Sequence, residues 1–225
     1  MIDSTIDKIR VIIVDDHELV RFGFKSLLAA DGSIDVIATL GSGEEAIDWC
    51  RDNDAQVDVI LMDVNMPGIG GIEATHRISS SWPDIGIIIV TVHETGPLPK
   101  QLLSGGAKGY LTKGNGVDEM ITAIHEVSKG KHYIAKDIAQ QLALSVLPGE
   151  NNPIDGLSMR ETQVLMMIAK GIKTQDISLR LNLSPKTIST YRARLFVKLD
   201  VNSDIEMLHL AMKYGVLDDT NMPIR

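Results

Sequence analysis

Cysteine is almost missing from this chain of 225 residues, Cys50 being the single one. No intrachain disulfide can form, which points to a reducing, cytoplasmic setting. The histidines (His17, His76, His93, His125, His132 and His209) show no metal-ligand spacing, so a zinc centre is not expected either. No apolar run approaches the roughly 18 residues of a membrane-crossing helix, and no membrane partner is expected. The opening Met1-Ile2-Asp3-Ser4 has neither the basic start nor the apolar core of a secretion signal. Repeats and low-complexity tracts are lacking too. What is present is 44% hydrophobic and 23% charged, the profile of a globular chain, and its length suits two domains.

The net charge of −8 argues superficially against nucleic acid, but it is unevenly spread. Residues 1–154 hold 12 basic against 22 acidic side chains, a net of −10, whereas residues 155–218 hold 9 against 7, a net of +2. Lys186, Arg192, Arg194 and Lys198 fall within 184–199 with no acid before Asp200. An acidic body with a basic stripe near its other end implies two separate functions.

Short apolar runs punctuate the first half: Val11–Val14, Val36–Ala38, Val59–Met62, Ile87–Val90 and Gly109–Leu111. Near-continuous apolar strands are buried on both faces, as in a parallel sheet. Helical spacing fills the gaps, for example Val20, Phe24, Leu27 and Leu28. The pattern predicts an open five-stranded α/β sheet with helices on both sides, in strand order 2-1-3-4-5. Around 143–156 turn formers accumulate, and the segment reads as a linker. Beyond it lie four helical stretches with no strand signal. Ser158 with Glu161 and Ser203 with Glu206 are spaced as capping boxes, and Ser184-Pro185 reads as an N-cap with proline at the first helical position.

The chemistry concentrates where strands end. Asp15 and Asp16 follow the first strand, Asp63 the third, Thr91 closes the fourth and Lys113 follows the fifth. In an open α/β sheet those carboxyl ends form the ligand crevice. A lone aspartate at a strand end is usually a turn former or cap; convergence of all five is the signal. Clustered carboxylates need a cation, and hard oxygen ligands favour Mg²⁺. A carboxylate can attack phosphorus to give an aspartyl phosphate, with metal and lysine neutralising the transferring group. Tyr110 reads equally well as plain core.

Asp15-Asp16, Met62-Asp63-Val64-Asn65-Met66-Pro67-Gly68, Thr91, Tyr110 and Lys113 make residues 1–130 resemble a response-regulator receiver domain, with its flavodoxin-like (CheY-like) fold. The resemblance implies that Asp63 is the phosphoacceptor. It makes Asp15, Asp16, Asp63 and the Asn65 carbonyl the Mg²⁺ ligands, Lys113 the phosphoryl contact, and Thr91 with Tyr110 the switch pair. Gly114 stands where many receivers carry a cis proline, so no cis bond is implied. Asn65 and His93 are placed to affect the lifetime of the phosphate.

Thr174–Leu181 and Ser184–Leu199, joined by Asn182-Leu183, have the spacing of a helix-turn-helix. Ile188, Leu195 and Leu199 form the buried stripe of the second helix. Residues 157–219 resemble the four-helix LuxR/FixJ/NarL DNA-binding class, leaving 131–156 as helical extension and linker. That resemblance makes Ser189, Thr190 and Ala193 base-facing and Lys186, Thr187, Tyr191 and Lys198 backbone contacts. Because Ala193 cannot hydrogen-bond a base, Arg192 or Arg194 is expected to carry more of the readout. The last helix, Asp204–Tyr214, would form a homodimer contact on double-stranded DNA. As a whole the chain most resembles the GacA/UvrY/VarA group of these regulators, which implies a sensor histidine kinase as partner, directly or through a phosphorelay domain.

On this reading the receiver and linker keep the basic helix masked or undimerised until Asp63 is phosphorylated, whereupon Thr91 moves to the phosphate, Tyr110 follows inward and the domains separate. Two rivals differ in class. An aspartate-nucleophile phosphatase would want an acid where Asn65 stands, so no enzyme is expected. A phosphorylation-independent regulator would have no need for the full set of carboxylates and lysine.

Overall fold

The computed structural model describes residues 8–53, 56–92, 98–145, 152–214 and 216. In chain order these form β1 (Ile9–Val14), α1 (Glu18–Leu28), β2 (Ile34–Leu40), α2 (Gly43–Asp52), β3 (Val59–Met62), α3 (Gly70–Ser81), β4 (Gly86–Thr91), α4 (Leu98–Ser104), β5 (Gly109–Thr112), α5 (Val117–Ser128), β6 (Tyr133–Ile134) and α6 (Lys136–Ser145). A 3₁₀ turn (Pro153–Gly156) then leads to α7 (Met159–Ala169), α8 (Thr174–Arg180), α9 (Pro185–Leu199) and α10 (Asp204–Lys213).

The sheet is parallel throughout, in the order β2-β1-β3-β4-β5-β6. It has six strands where five were expected. The addition is β6, in which Tyr133 pairs with Gly109 and Ile134 with Tyr110. Two residues make no apolar run, so β6 left no periodic signal in a segment read as helical extension and linker. β3, β4 and β5 are buried along their whole length, as continuous apolar runs require. The edge strand β2 instead alternates in burial and leaves Ile37 exposed, because one of its faces lacks full cover.

Residues 146–151 of the expected linker lie outside the described residues. Its end is well built: the Asn152 side chain accepts from the Ile154 amide at 3.0 Å, and Ile154 is fully buried in the core of the second domain. There Ser158 and Glu161 form the reciprocal capping box. At α10 only half of the expected box exists. Ser203 accepts from the Glu206 amide, but the Glu206 carboxylate accepts from Asn202, one residue earlier than the cap. The α8–α9 turn closes through Asn182, in the left-handed region at φ 50°, with the Leu183 amide bonded to the Ser178 carbonyl. No helix among the described residues is long and apolar enough to cross a membrane.

The two domains touch. The Gln163 side chain on α7 donates to the Ile69 carbonyl ahead of α3 at 2.8 Å, in a buried position. Gln101 on α4 donates to the Leu157 carbonyl at 3.2 Å, and Lys100 lies 3.5 Å from Asp155. The receiver side of this contact is fixed by Gly71, where a Cβ would collide with the Asp63 carbonyl oxygen. Its missing side chain lets α3 start directly against the strand that carries Asp63.

Candidate functional site

Parallel pairing of β1, β3, β4 and β5 brings their carboxyl ends to one edge, and the sequence-predicted groups meet there. Asp15 and Asp63 are 2% and 3% exposed, and Thr91 is fully buried. The Lys113 ammonium bridges the two acids, 2.6 Å from Asp15 Oδ2 and 3.1 Å from Asp63 Oδ1. Backbone bonds hold both partners in place: the Asp63 amide donates to the Val14 carbonyl and the Lys113 amide to the Thr91 carbonyl. The other Asp63 oxygen accepts from the Asn65 amide at 3.0 Å.

Burial pushes the Asp63 carboxyl above the ordinary aspartate value, and the Asp15 charge adds to this against the opposing pull of Lys113. For Lys113 burial opposes the charge, yet the hydrogen bond it donates to Asp15 and the charge of Asp63 outweigh it and hold its ammonium above the usual lysine value.

Asp15, Asp16 and His17 offer ligand atoms mutually within 4.8 Å. One Asp16 oxygen is buried with no hydrogen-bond partner, although the His17 ring nitrogen stands 2.9 Å away. An under-satisfied carboxylate oxygen beside a second buried carboxylate suits a hard divalent cation. The structure thus adds His17 to the residues around this site. Its one signal in the sequence is adjacency to Asp15-Asp16, not metal-ligand spacing. Tyr110 is fully buried beside the site, and burial raises its phenol. The expected inward position of this ring is therefore already taken up in this structure. His93 lies outside the described residues; Asn65 is half-buried and lines a cavity of about 380 Å³ between the domains, with Asp16, Gln163, Lys170 and Arg180.

On α9, Ile188, Leu195 and Leu199 are buried as expected, while Lys186, Ser189, Thr190, Ala193 and Arg194 are exposed. With the domains in contact this face is open, so masking of it, one of the two expected forms of restraint, is not what the docked arrangement does. Lys186, Thr187, Thr190, Tyr191 and Arg194 line a cleft of about 270 Å³ with Ser184. Two basic residues are otherwise engaged. Lys198 donates to Glu161 Oε2 at 2.7 Å, next to the α7 capping box, and Arg192 donates to Asp204 Oδ2 at 2.6 Å.

The family described as "Response regulator receiver domain" matches residues 11–125, and "Bacterial regulatory proteins, luxR family" matches 155–211. The chain is a two-domain response regulator. It is 49% identical to the response regulator UvrY of Escherichia coli (strain K12) over 210 residues, covering 92% of this chain and 95% of that one. It is 48% identical to the response regulator GacA of Pseudomonas aeruginosa over 212 residues, covering 93% and 98%. A solved structure of RcsB from Salmonella enterica serovar Typhimurium, bound to promoter P1flhDC with the phosphomimetic BeF3-, aligns with a TM-score of 0.72 at 25% identity, covering 92% of this chain and 99% of that one. The regulator thus joins a receiver to a LuxR-type DNA-binding domain, the make-up of a transcription factor.

Removing the cation between the acids should be costly. Lys113→Ala should lose about 3 kcal/mol of receiver stability at neutral pH, the usual scale for leaving a buried charge unpaired. A carboxyl whose folded pKa lies above its unfolded value gains relative stability as it protonates. The deficit should therefore shrink as pH falls through the upper carboxylate range. Denaturant melts of both proteins from pH 7 to pH 5 check this, and a deficit that grows on acidification would contradict it.

Proposed function

We propose that this regulator is switched by phosphorylation of Asp63 and then binds double-stranded DNA as a homodimer. The observation that carries the reading is Lys113, whose ammonium lies within reach of two buried carboxylates, one of them on Asp63. An Asp63 oxygen attacks the phosphorus of a phosphohistidine on a partner kinase or phosphorelay domain. The new O–P bond forms as the P–N bond breaks, and the imidazole leaves with a proton. Lys113 steadies the charge of the arriving phosphoryl group, and the Thr91 hydroxyl becomes its hydrogen-bond donor. Asp15, Asp16, Asp63 and the Asn65 carbonyl would hold Mg²⁺, which when bound neutralises charge on the transferring group. Asn65 occupies the position where a hydrolase would want a general acid, favouring a stored phosphate over turnover.

In the second domain we assign Lys186, Thr187 and Tyr191 to the DNA backbone, Ser189, Thr190 and Ala193 to the base edges, and α10 to the dimer contact. Exposure of the α9 face and the cleft beside it support this assignment. We propose a receiver that runs through β6 at 133–134, which pairs with β5, and a DNA-binding domain that begins at the turn 153–156. With the α9 face open, restraint before phosphorylation acts on orientation: α7 is tied to the receiver through Gln163 on one side and packs on α10 on the other.

Intact mass after incubation with a small phosphodonor and Mg²⁺ tests the switch. One added phosphate on the wild type and none on Asp63→Asn is expected; equal labelling of both would remove Asp63 as acceptor. Gln163→Ala should weaken the docked state by about one hydrogen bond and raise DNA affinity of the unphosphorylated chain about fivefold. Fluorescence anisotropy reads this directly, and unchanged affinity would free α7 of a restraining role.

A further inference from the structure

The two arginines of the α9 basic stripe do different jobs. Arg194 is exposed and faces the cleft shared with Lys186 and Thr190. Arg192 is half-buried, with its guanidinium 5.6 Å from the centre of the Phe196 ring and 2.6 Å from Asp204 Oδ2. Asp204 is the first residue of α10. A guanidinium committed to a carboxylate and an aromatic face has fewer donors left for a phosphate or a base.

The setting of this pair matters more than its length. Among the described residues α10 packs chiefly on α7, and α9 packs on α7 and α8, so the two helices share little direct packing. Arg192–Asp204 ties them across that gap. The second Asp204 oxygen is buried with no hydrogen-bond partner, an arrangement poorly suited to stability alone. With its side chains 40% and 44% exposed, the pair adds little to stability, so its contribution is to orientation. Two neighbouring charges are engaged elsewhere: Glu206 accepts from the Asn202 amide, and Lys198 is paired with Glu161.

We propose that Arg192 is a positioning residue: through Asp204 it sets α10 relative to the DNA-reading helix, and so fixes the half-site spacing that a dimer accepts. Arg194 is then the arginine of this stripe that reaches the bases. The inference rests on the reading of α10 as the dimer contact. It makes Asp204, a residue outside the assigned DNA contacts, a determinant of DNA specificity.

The test uses the full-length phosphorylated chain and a double-stranded operator selected by the wild type from a random-sequence pool. The same operator is also prepared with its half-sites moved by one base pair either way, and as a single half-site. Arg192→Met and Asp204→Asn should each weaken binding to the selected spacing about threefold to fivefold and flatten the preference over the shifted operators. Single-half-site affinity and the dependence on salt should stay as in the wild type. Exchanging the charges (Arg192→Asp with Asp204→Arg) should recover the spacing preference. Arg194→Met should instead lower single-half-site affinity and base selectivity. Should Arg192→Met unfold the domain, Asp204→Asn and the exchange carry the test. If Arg192→Met lowers the salt slope by about one while Asp204→Asn is silent, Arg192 is a phosphate contact and the proposal falls. A wild type that shows no spacing preference overturns the dimer reading, and the proposal with it; a spacing preference untouched by Asp204→Asn overturns the proposal alone.

Discussion

Two carboxylates and one ammonium, removed from water at the edge of a parallel sheet, set the terms for everything else in this protein. Asp15 and Asp63 repel each other in a medium that screens poorly, and Lys113 holds them together at 2.6 and 3.1 Å. The arrangement depends on chain segments almost a hundred residues apart, so it exists only when β1, β3 and β5 are in register. It is also incomplete. Burial favours the protonated form of Asp63, and an oxygen of Asp16 has no hydrogen-bond partner. A site so short of positive charge can take a divalent cation, and a phosphoryl group would change its balance again.

That balance is passed on through geometry close at hand. The loop after Asp63 runs through Asn65 to Ile69, whose carbonyl accepts from Gln163 of the DNA-binding domain. Gln163 accepts in turn from Arg160 at 2.6 Å, and Arg160 donates to the Leu181 carbonyl in the helix-turn-helix at 2.9 Å. A continuous set of polar contacts therefore runs from the loop after Asp63 to the turn ahead of α9. Gly71 lets α3 start close to β3, because a side chain there would collide with the Asp63 carbonyl oxygen. What the contact leaves open is as informative as what it covers. On the proposed reading, the exposed face of α9 puts the restraint on where the domain points, not on whether its surface is free.

Much of this was legible before any coordinates. Continuous apolar runs marked β1, β3, β4 and β5 because burial on both faces leaves no polar alternation to confuse the reading. Strand-end acids, the lysine and the caps at Ser158 and Ser184 were equally plain. The failures have physical reasons. β6 is two residues long, too short for periodicity, and exists because β5 offers an open edge. Gln163 is one polar residue on a helix and looks solvated until another domain buries it. Lys198 and Arg192 looked like neighbours in one basic stripe. Charge counting cannot see that Glu161 and Asp204, on other helices, pair with them in this structure. His17 has no metal-ligand spacing; only its adjacency to two acids marks it.

The account as a whole requires that phosphate on Asp63 be felt at the DNA-reading surface. The most direct measurement is the affinity of the full chain for its selected operator, with and without a small phosphodonor and Mg²⁺, for the wild type and Asp63→Asn side by side. A clear gain for the phosphorylated wild type and none for Asp63→Asn is the predicted result. Equal affinity before and after phosphorylation, or an equal gain in both proteins, would contradict it.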